Sequence, residues 1–155
     1  MNVLRALLLV AILGACAGTA APAPSPSAAR AHASPSGSGV PSTLQTKYAA
    51  AQAATTLFHV RFDQRNFSRM YALTDASFRK EISETSFTSN MTALRDRVGA
   101  SVNEDEVDAD AYEEGSDAIV TIWMETEFQN AVLSETFVWR VSRDEMTLLV
   151  SYEAD

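Results

Sequence analysis

A sharp change in composition near residue 42 limits what this chain of 155 residues can fold into. All five prolines lie between residues 16 and 42, in a stretch made mostly of Ala, Ser and Gly. Every Phe, Tyr and Trp lies after that stretch. Because the stretch cannot bury enough apolar surface to order itself, we predict a disordered tether over residues 16–42. Residues 43–155 are long enough for one compact domain.

The first fifteen residues follow the pattern of an export signal. Arg5 supplies a positive charge, and residues 6–13 form a short apolar run. This run is well below the ~20 residues that a membrane-spanning helix needs, so we predict a signal peptide over residues 1–15. It ends in Leu-Gly-Ala-Cys at residues 13–16, which resembles the lipobox of bacterial lipoproteins. The resemblance implies cleavage before Cys16, whose thiol would carry a diacylglycerol and whose new amine is often acylated too.

A lipid on Cys16 would hold the protein at a membrane surface. Cys16 is the only cysteine in the chain, so no disulfide can form within it. Two or three acyl chains make anchoring stable, whereas one chain is marginal. Ala17 follows the cysteine, which resembles the pattern of outer-membrane retention. We expect a cell-envelope protein, on the outer membrane facing the periplasm in a two-membrane host and otherwise on the outer face of the plasma membrane. A soluble secreted protein with an incidental cysteine is the alternative.

The domain of residues 43–155 is strongly acidic. It has ten Lys and Arg against twenty Asp and Glu, a net charge of −10. This charge argues against binding nucleic acid and against lying flat on an anionic membrane. A basic partner is compatible with it, although solubility alone explains the acidity of many exported domains.

Apolar residues in the first half of the domain recur at the three- and four-residue steps of helices. The first helix is predicted to run to about Gln64, followed by a short second helix. Asp75 and Ser83 are predicted N-caps of a third and a fourth helix. Gly99 lies where a left-handed stop of the fourth helix is expected.

The second half changes to a period of two, which is typical of strands with one buried face. A strand around residues 107–112 is predicted to turn through residues 113–115. Two hairpins follow, with turns at residues 130–131 and 144–145. Their predicted register pairs Ile122 with Trp139, Trp139 with Val150, and Phe137 with Tyr152. We therefore predict an α+β fold in which N-terminal helices pack on a curved antiparallel sheet.

Several short motifs add to this pattern. They are Asp63, Asn66-Phe67, residues 71–75, Ser77-Phe78-Arg79, Phe87, Gly99, Glu135-x-Phe137 and residues 148–152. With the order of a long helix, short helices and a meander, they resemble the nuclear transport factor 2-like (cystatin-like) superfamily, and within it small bacterial domains of unknown function. That superfamily includes isomerases, dehydratases, cyclases, immunity proteins and binding modules, so the resemblance implies a fold and no particular activity.

Glu135 is the main candidate for a functional residue, because the predicted register puts it on the apolar face, opposite Thr126. A buried carboxylate must either pair or be protonated. It could line a pocket, with a raised pKa suited to acid–base chemistry. It could instead lie near the end of the sheet and meet water or an arginine such as Arg61, Arg65 or Arg69. His59, the domain's only histidine, is predicted at the border of core and solvent, where a structural role is more common.

Other chemistries lack the residues they need. The acidic stretch of residues 104–117 has Tyr112 and Glu113 where a calcium loop needs a ligand and a glycine, so it is predicted to be a solvated hairpin. One histidine and no cysteine in the domain cannot make a usual zinc site. The sequence has no phosphate-binding glycine loop and no nucleophile elbow. We expect no metal, no cofactor and no enzymatic activity.

These observations favour a lipid-anchored binding module. Trp123 and Val138 are predicted to form an apolar patch on an otherwise polar sheet face, where they would meet a partner protein or a second copy in a homodimer. One alternative is a small-molecule-binding or isomerase- or dehydratase-like enzyme with a pocket formed by Glu135, Thr126 and His59. Another is an envelope immunity or inhibitor protein that neutralises a toxin.

Overall fold

The computed structural model describes residues 39–155. The predicted signal peptide, the lipidation site Cys16 and most of the predicted tether lie outside the described residues. The described part consists of helices followed by a four-stranded antiparallel sheet, so the predicted α+β class is confirmed. None of its helices combines the length and the apolar character needed to cross a membrane.

One long helix and three shorter ones make up the first half. They are α1 (Gln45–Asp63), α2 (Phe67–Tyr71), α3 (Ala76–Glu81) and α4 (Glu84–Val98), and a 3-10 turn at Ser42–Leu44 precedes them. The long helix α1 ends within one residue of its predicted end. Its buried stripe includes Tyr48, Ala51, Thr55, Phe58 and Phe62. Since these residues recur at three- and four-residue steps, one side of α1 packs on the sheet.

The predicted caps are confirmed. The Asp75 carboxylate accepts a hydrogen bond from the Ser77 amide, and the Ser83 hydroxyl accepts one from the Ser86 amide. Each cap satisfies a backbone donor that the first helical turn leaves without a partner. Gly99 follows α4 with a φ of 83°, a conformation that costs glycine little.

Four strands follow in chain order: β1 (Ser101–Glu114), β2 (Asp117–Phe128), β3 (Val132–Val141) and β4 (Thr147–Ala154). The strand predicted at residues 107–112 is therefore much too short. The carboxylates on the solvent side of β1 do not interrupt its pairing with β2, because water solvates them. The first hairpin turns at Gly115 and Ser116, not at residues 113–115.

The predicted register of β2 against β3 is wrong by two residues. The turn lies at residues 129–130, so Ile122 pairs with Phe137 and not with Trp139. A shift of two leaves every side chain on its predicted face, and alternation alone therefore does not distinguish the two registers. The end of α4 holds the hairpin tip, because the backbone N–H of Asn130 donates a hydrogen bond to the Val98 carbonyl at 2.9 Å.

The register of β3 against β4 is partly confirmed. Phe137 pairs with Tyr152 as predicted, but an irregularity after Val138 makes Trp139 pair with Leu149 and not with Val150. Such a bulge inserts one unpaired residue into a strand and is not visible in a period-two pattern. Its effect is to turn Leu149 into the core, where it is almost fully buried.

The helices and the inner face of the sheet share a single core in the described part of the chain. Its largest fully buried apolar side chains are Trp139, Phe62, Phe87, Phe137 and Ile122. Val40 is also buried and packs with this cluster. Val40 therefore contributes to the core, because its burial removes an apolar side chain from water.

Candidate functional site

Strand β3 places Glu135 on the inner face of the sheet, between Leu133 and Phe137. Glu135 is only 1% exposed. Helix α1 places His59 against it, one turn after Thr55. The prediction that His59 lies at the border of core and solvent is wrong, since it is also 1% exposed. The reason is that the sheet and its aromatic rings cover more of α1 than the apolar stripe alone indicates.

The Glu135 carboxylate has a side-chain partner at each oxygen. His59 Nε2 lies 2.8 Å from one oxygen, and the Tyr152 hydroxyl donates to the other at 2.6 Å. Among residues 39–155, Glu135 pairs with no arginine, although one interpretation expected Arg61, Arg65 or Arg69 there. On the far side of the imidazole, His59 Nδ1 lies 3.1 Å from a Glu104 carboxylate oxygen. This is an ion-pair distance without the alignment of a hydrogen bond. We call His59, Glu104, Glu135 and Tyr152 the His59 cluster.

Thr126 lies beside this cluster but not directly opposite Glu135. The register sets Glu135 opposite Met124 and Thr126 opposite Leu133, so Thr126 and Glu135 are diagonal neighbours. Thr126 is fully buried. Its hydroxyl makes no hydrogen bond within residues 39–155. The structure thus brings the three predicted pocket residues into one region, with the pair His59 and Glu135 in direct contact.

Two carboxylates determine the charge of His59. Burial by itself would lower the pKa of His59, but Glu104 and Glu135 outweigh it and raise that pKa to about 9. Burial would raise the pKa of Glu135, whereas the hydrogen bond and charge of His59 bring it below its ordinary value. The raised Glu135 pKa of the pocket interpretation is therefore wrong. At neutral pH a charged imidazolium lies between two carboxylates.

Tyr152 stays protonated in this arrangement. Burial, and then the charge of Glu135, raise the pKa of the Tyr152 hydroxyl well above its ordinary value. The hydroxyl therefore acts as a neutral hydrogen-bond donor to the carboxylate. The His59 cluster is a compensated set of charges in which each buried ionised group has an opposite charge or a donor beside it.

The surroundings of the His59 cluster are tightly packed. The rings of Phe58, Phe128 and Phe137 lie at centroid distances of 6.0, 6.5 and 5.5 Å from the imidazole. Glu104 is the most exposed member of the cluster, with 28% of its side chain accessible. A small cavity of about 10 Å³ lies elsewhere in the core, lined by residues that include Ala54, Met70 and Trp139. That is room for about one water molecule, and neither Glu135 nor His59 lines it.

The sequence predicted Tyr152 only as a core neighbour of Phe137, and it did not predict Glu104 as a member of the site. The predicted pairing of Phe137 with Tyr152 already placed Tyr152 diagonally next to Glu135 on the same face, so a signal for it existed. Glu104 had no comparable signal, because it is one of many carboxylates in β1. Which of them turns inward depends on a register irregularity after Glu106.

The opposite side of the sheet faces solvent, and we call it the outer face: the solvent-side residues of β1 to β4 around Trp123. Trp123 is 37% exposed and pairs with Thr136, while Val138 is half-buried and pairs with Thr121. Both predicted patch residues therefore lie on this face, as diagonal neighbours. Tyr112, which is more than half exposed, lies on the same face nearer the first hairpin, where it pairs with Ile119.

The fold and this arrangement define an α+β domain with a buried, charge-compensated cluster on one side of its sheet and an exposed tryptophan on the other. The chain belongs to the family described as "Protein of unknown function (DUF4019)", whose sequence model matches residues 50–152. The matched range contains the whole His59 cluster and Trp123. No curated protein and no solved structure matches the chain.

Proposed function

We propose that this protein is a lipid-anchored binding module of the bacterial cell envelope and that it acts without catalysis. The observation that carries the proposal is the exposure of Trp123 on the outer face, beside Val138. Large aromatic side chains are enriched among the residues that anchor protein–protein interfaces. An apolar patch rimmed by polar residues is typical of an interaction surface.

The membrane anchor of the proposal is the acylated Cys16. Removal of residues 1–15 leaves this cysteine at the N-terminus, and the stretch rich in Ala, Pro and Ser separates the lipid from the domain. The domain itself we assign to the nuclear transport factor 2-like group. This assignment is supported by the order of one long helix, short helices and an antiparallel meander.

Replacing Cys16 with serine is expected to abolish acylation and to leave residues 1–15 attached, because the thiol is the group that receives the lipid. The intact mass of the full chain, extracted from the membranes of its own host, measures both effects. Ala20→Ser introduces the same residue into the tether and should be processed and acylated normally. Normal processing of the Cys16→Ser variant would show that the lipoprotein assignment is wrong.

The outer face can be tested by site-specific cross-linking. A photoreactive phenylalanine analogue at position 123, in the full chain in its native envelope, is expected to form one discrete protein adduct. The same analogue at Leu57, an exposed apolar position on α1, is the matched control and should form none. An adduct of twice the chain's mass would identify a second copy as the partner. No adduct at position 123, or equal adducts at both positions, would contradict the proposal.

A pocket enzyme is the second candidate. The observation that favours it is the contact of His59, Glu135 and Tyr152, since titratable groups with shifted pKa values often mark catalytic sites. The packing of aromatic rings around His59 argues for a structural role. A toxin-neutralising immunity protein is a special form of the binding module and would use the same outer face.

A further inference from the structure

We infer that the partner of the outer face is a basic protein segment that places an arginine on Trp123, between carboxylates of β1 and β2. The inference rests on the proposed function, because it names the class of partner for the same surface. It is carried by the distribution of charge in the fold and by the residues that surround Trp123.

Charge is segregated between the two halves of the domain. Residues 43–98, which hold the helices, contain eight basic and five acidic residues, a net charge of +3. Residues 99–155, which hold the sheet, contain two basic and fifteen acidic residues, a net charge of −13. Simple solubility requires net charge but not its concentration in one half. A single-signed surface of this kind attracts an oppositely charged partner and accelerates its association.

The carboxylates of the outer face lie immediately around Trp123. Asp108 is directly opposite Trp123 on β1, and Glu125 follows two residues later on β2. Asp105 is directly opposite Glu125, and all three acidic side chains are exposed. Like charges that face each other across two strands destabilise a sheet. A cation bound between them would remove this repulsion, which gives binding an electrostatic gain beyond the contact with the indole.

The outer face has little positive charge of its own to neutralise these groups. Arg140 is the one basic residue in the four described strands. Its guanidinium lies 2.8 Å from Glu114 and 3.4 Å from Asp75, at the end of the sheet that holds the first hairpin. Arg140 is therefore paired with carboxylates at that end of the sheet and does not lie beside Trp123.

Arginine is the cation that fits this arrangement best. Its planar guanidinium stacks on an indole and can donate hydrogen bonds to carboxylates at its edge at the same time. One Asp108 oxygen accepts a hydrogen bond from the Ala109 amide at 2.8 Å, which holds that carboxylate in place beside Trp123. A second copy docked face to face is disfavoured, because it would bring two acidic surfaces together.

The test uses the full chain in detergent and two synthetic peptides of equal length, one alternating arginine with valine and the other glutamate with valine. Trp123 fluorescence reports binding, since the only other tryptophan, Trp139, is almost fully buried. The arginine peptide is expected to quench it, and its affinity should fall at least about tenfold between about 50 and about 300 mM NaCl. The glutamate peptide should not bind.

Two double variants of equal charge make the test specific. Asp108→Asn with Glu125→Gln is expected to weaken binding of the arginine peptide about tenfold, because it removes two carboxylates beside Trp123. Glu81→Gln with Asp144→Asn, at exposed positions away from Trp123, should change the affinity less than about twofold. An equal loss of affinity in both double variants, or no binding of the arginine peptide to the wild type, would overturn the inference. If the cross-link at position 123 still forms in that case, the outer face binds a partner of other chemistry and the proposed function stands.

Discussion

Replacing Glu135 with leucine is expected to lower the free energy of unfolding by about 3–5 kcal/mol, the usual cost of removing one partner from a buried ion pair. The substitution leaves the His59 imidazole buried without its 2.8 Å partner and the Tyr152 hydroxyl without its acceptor. Denaturant unfolding at pH 6, followed by far-ultraviolet circular dichroism, measures the change. Glu125→Leu makes the same replacement on the outer face of the sheet and should change the free energy by less than about 1 kcal/mol.

A triple variant separates the effect of unpaired polar groups from the effect of altered packing in the core. Glu135→Leu combined with His59→Phe and Tyr152→Phe removes the polar groups together, so no buried charge or hydroxyl remains unpaired at these positions. It should recover most of the stability that Glu135→Leu loses, since replacing a whole buried ion pair by apolar residues is often close to neutral. Wild-type stability in the single variant would show that Glu135 and His59 are not paired in solution.

Raising the pH from about 6.5 to about 9 is expected to remove about 3 kcal/mol of stability. The pKa of His59 is raised from 6.5 to about 9 by Glu104 and Glu135, which outweigh burial. A group whose pKa is raised by folding stabilises the folded state fully below its unfolded pKa. That stabilisation is lost as the pH rises through the folded pKa.

At acidic pH, the stability of the domain changes with pH in the opposite direction. The pKa of Glu135 is lowered from 4.5 in the folded state, because His59 outweighs the effect of burial. Its stabilising contribution is therefore present above pH 4.5 and disappears as the pH falls through the folded pKa. The cluster should stabilise the domain most between about pH 4.5 and about pH 6.5.

Unfolding free energies measured at several pH values from about 5 to about 9.5 test this window. The double variant His59→Phe with Glu135→Leu has neither titrating group and should lose much less stability above about pH 6.5. The difference between the two curves of unfolding free energy against pH gives the contribution of His59 and Glu135. Lysines and tyrosines that titrate in both proteins cancel in this difference. Curves that run parallel over this range would show that His59 is not charged between its carboxylates.

Both results would assign the His59 cluster to the stability of the domain. A protein that acted through Glu135 would need this carboxylate to meet a ligand. Here it already holds an imidazolium and a tyrosine hydroxyl. In the proposed function, the packed inner face would supply stability and the exposed Trp123 would supply binding.

Much of the local structure was predictable from the sequence. The C-terminal end of α1, the caps at Asp75 and Ser83 and the position of Gly99 depend on nearest neighbours along the chain, and the structure confirms each of them. The α+β class followed from the change of apolar period from helical steps to alternation. The inward faces of β2 and β3 also followed, because alternation survives a register error of two residues.

The tertiary structure alone decided three things. The register of β2 against β3 depends on the contact between the hairpin tip and the end of α4, which local alternation does not encode. The bulge that buries Leu149 depends on the pairing of two strands and not on either strand's own sequence. The pairing of Glu135 with His59 depends on how far the sheet covers α1, because this coverage buries His59 next to Glu135.

His59 shows the physical reason most clearly. A helical wheel ranks residues by their angle from the apolar stripe, so it placed His59 at the border. Burial is instead a property of the surface that packs against the helix, and β2 and β3 cover the imidazole with Phe128 and Phe137. The sequence alone determined which faces are apolar, whereas three-dimensional packing determined which polar groups meet between them.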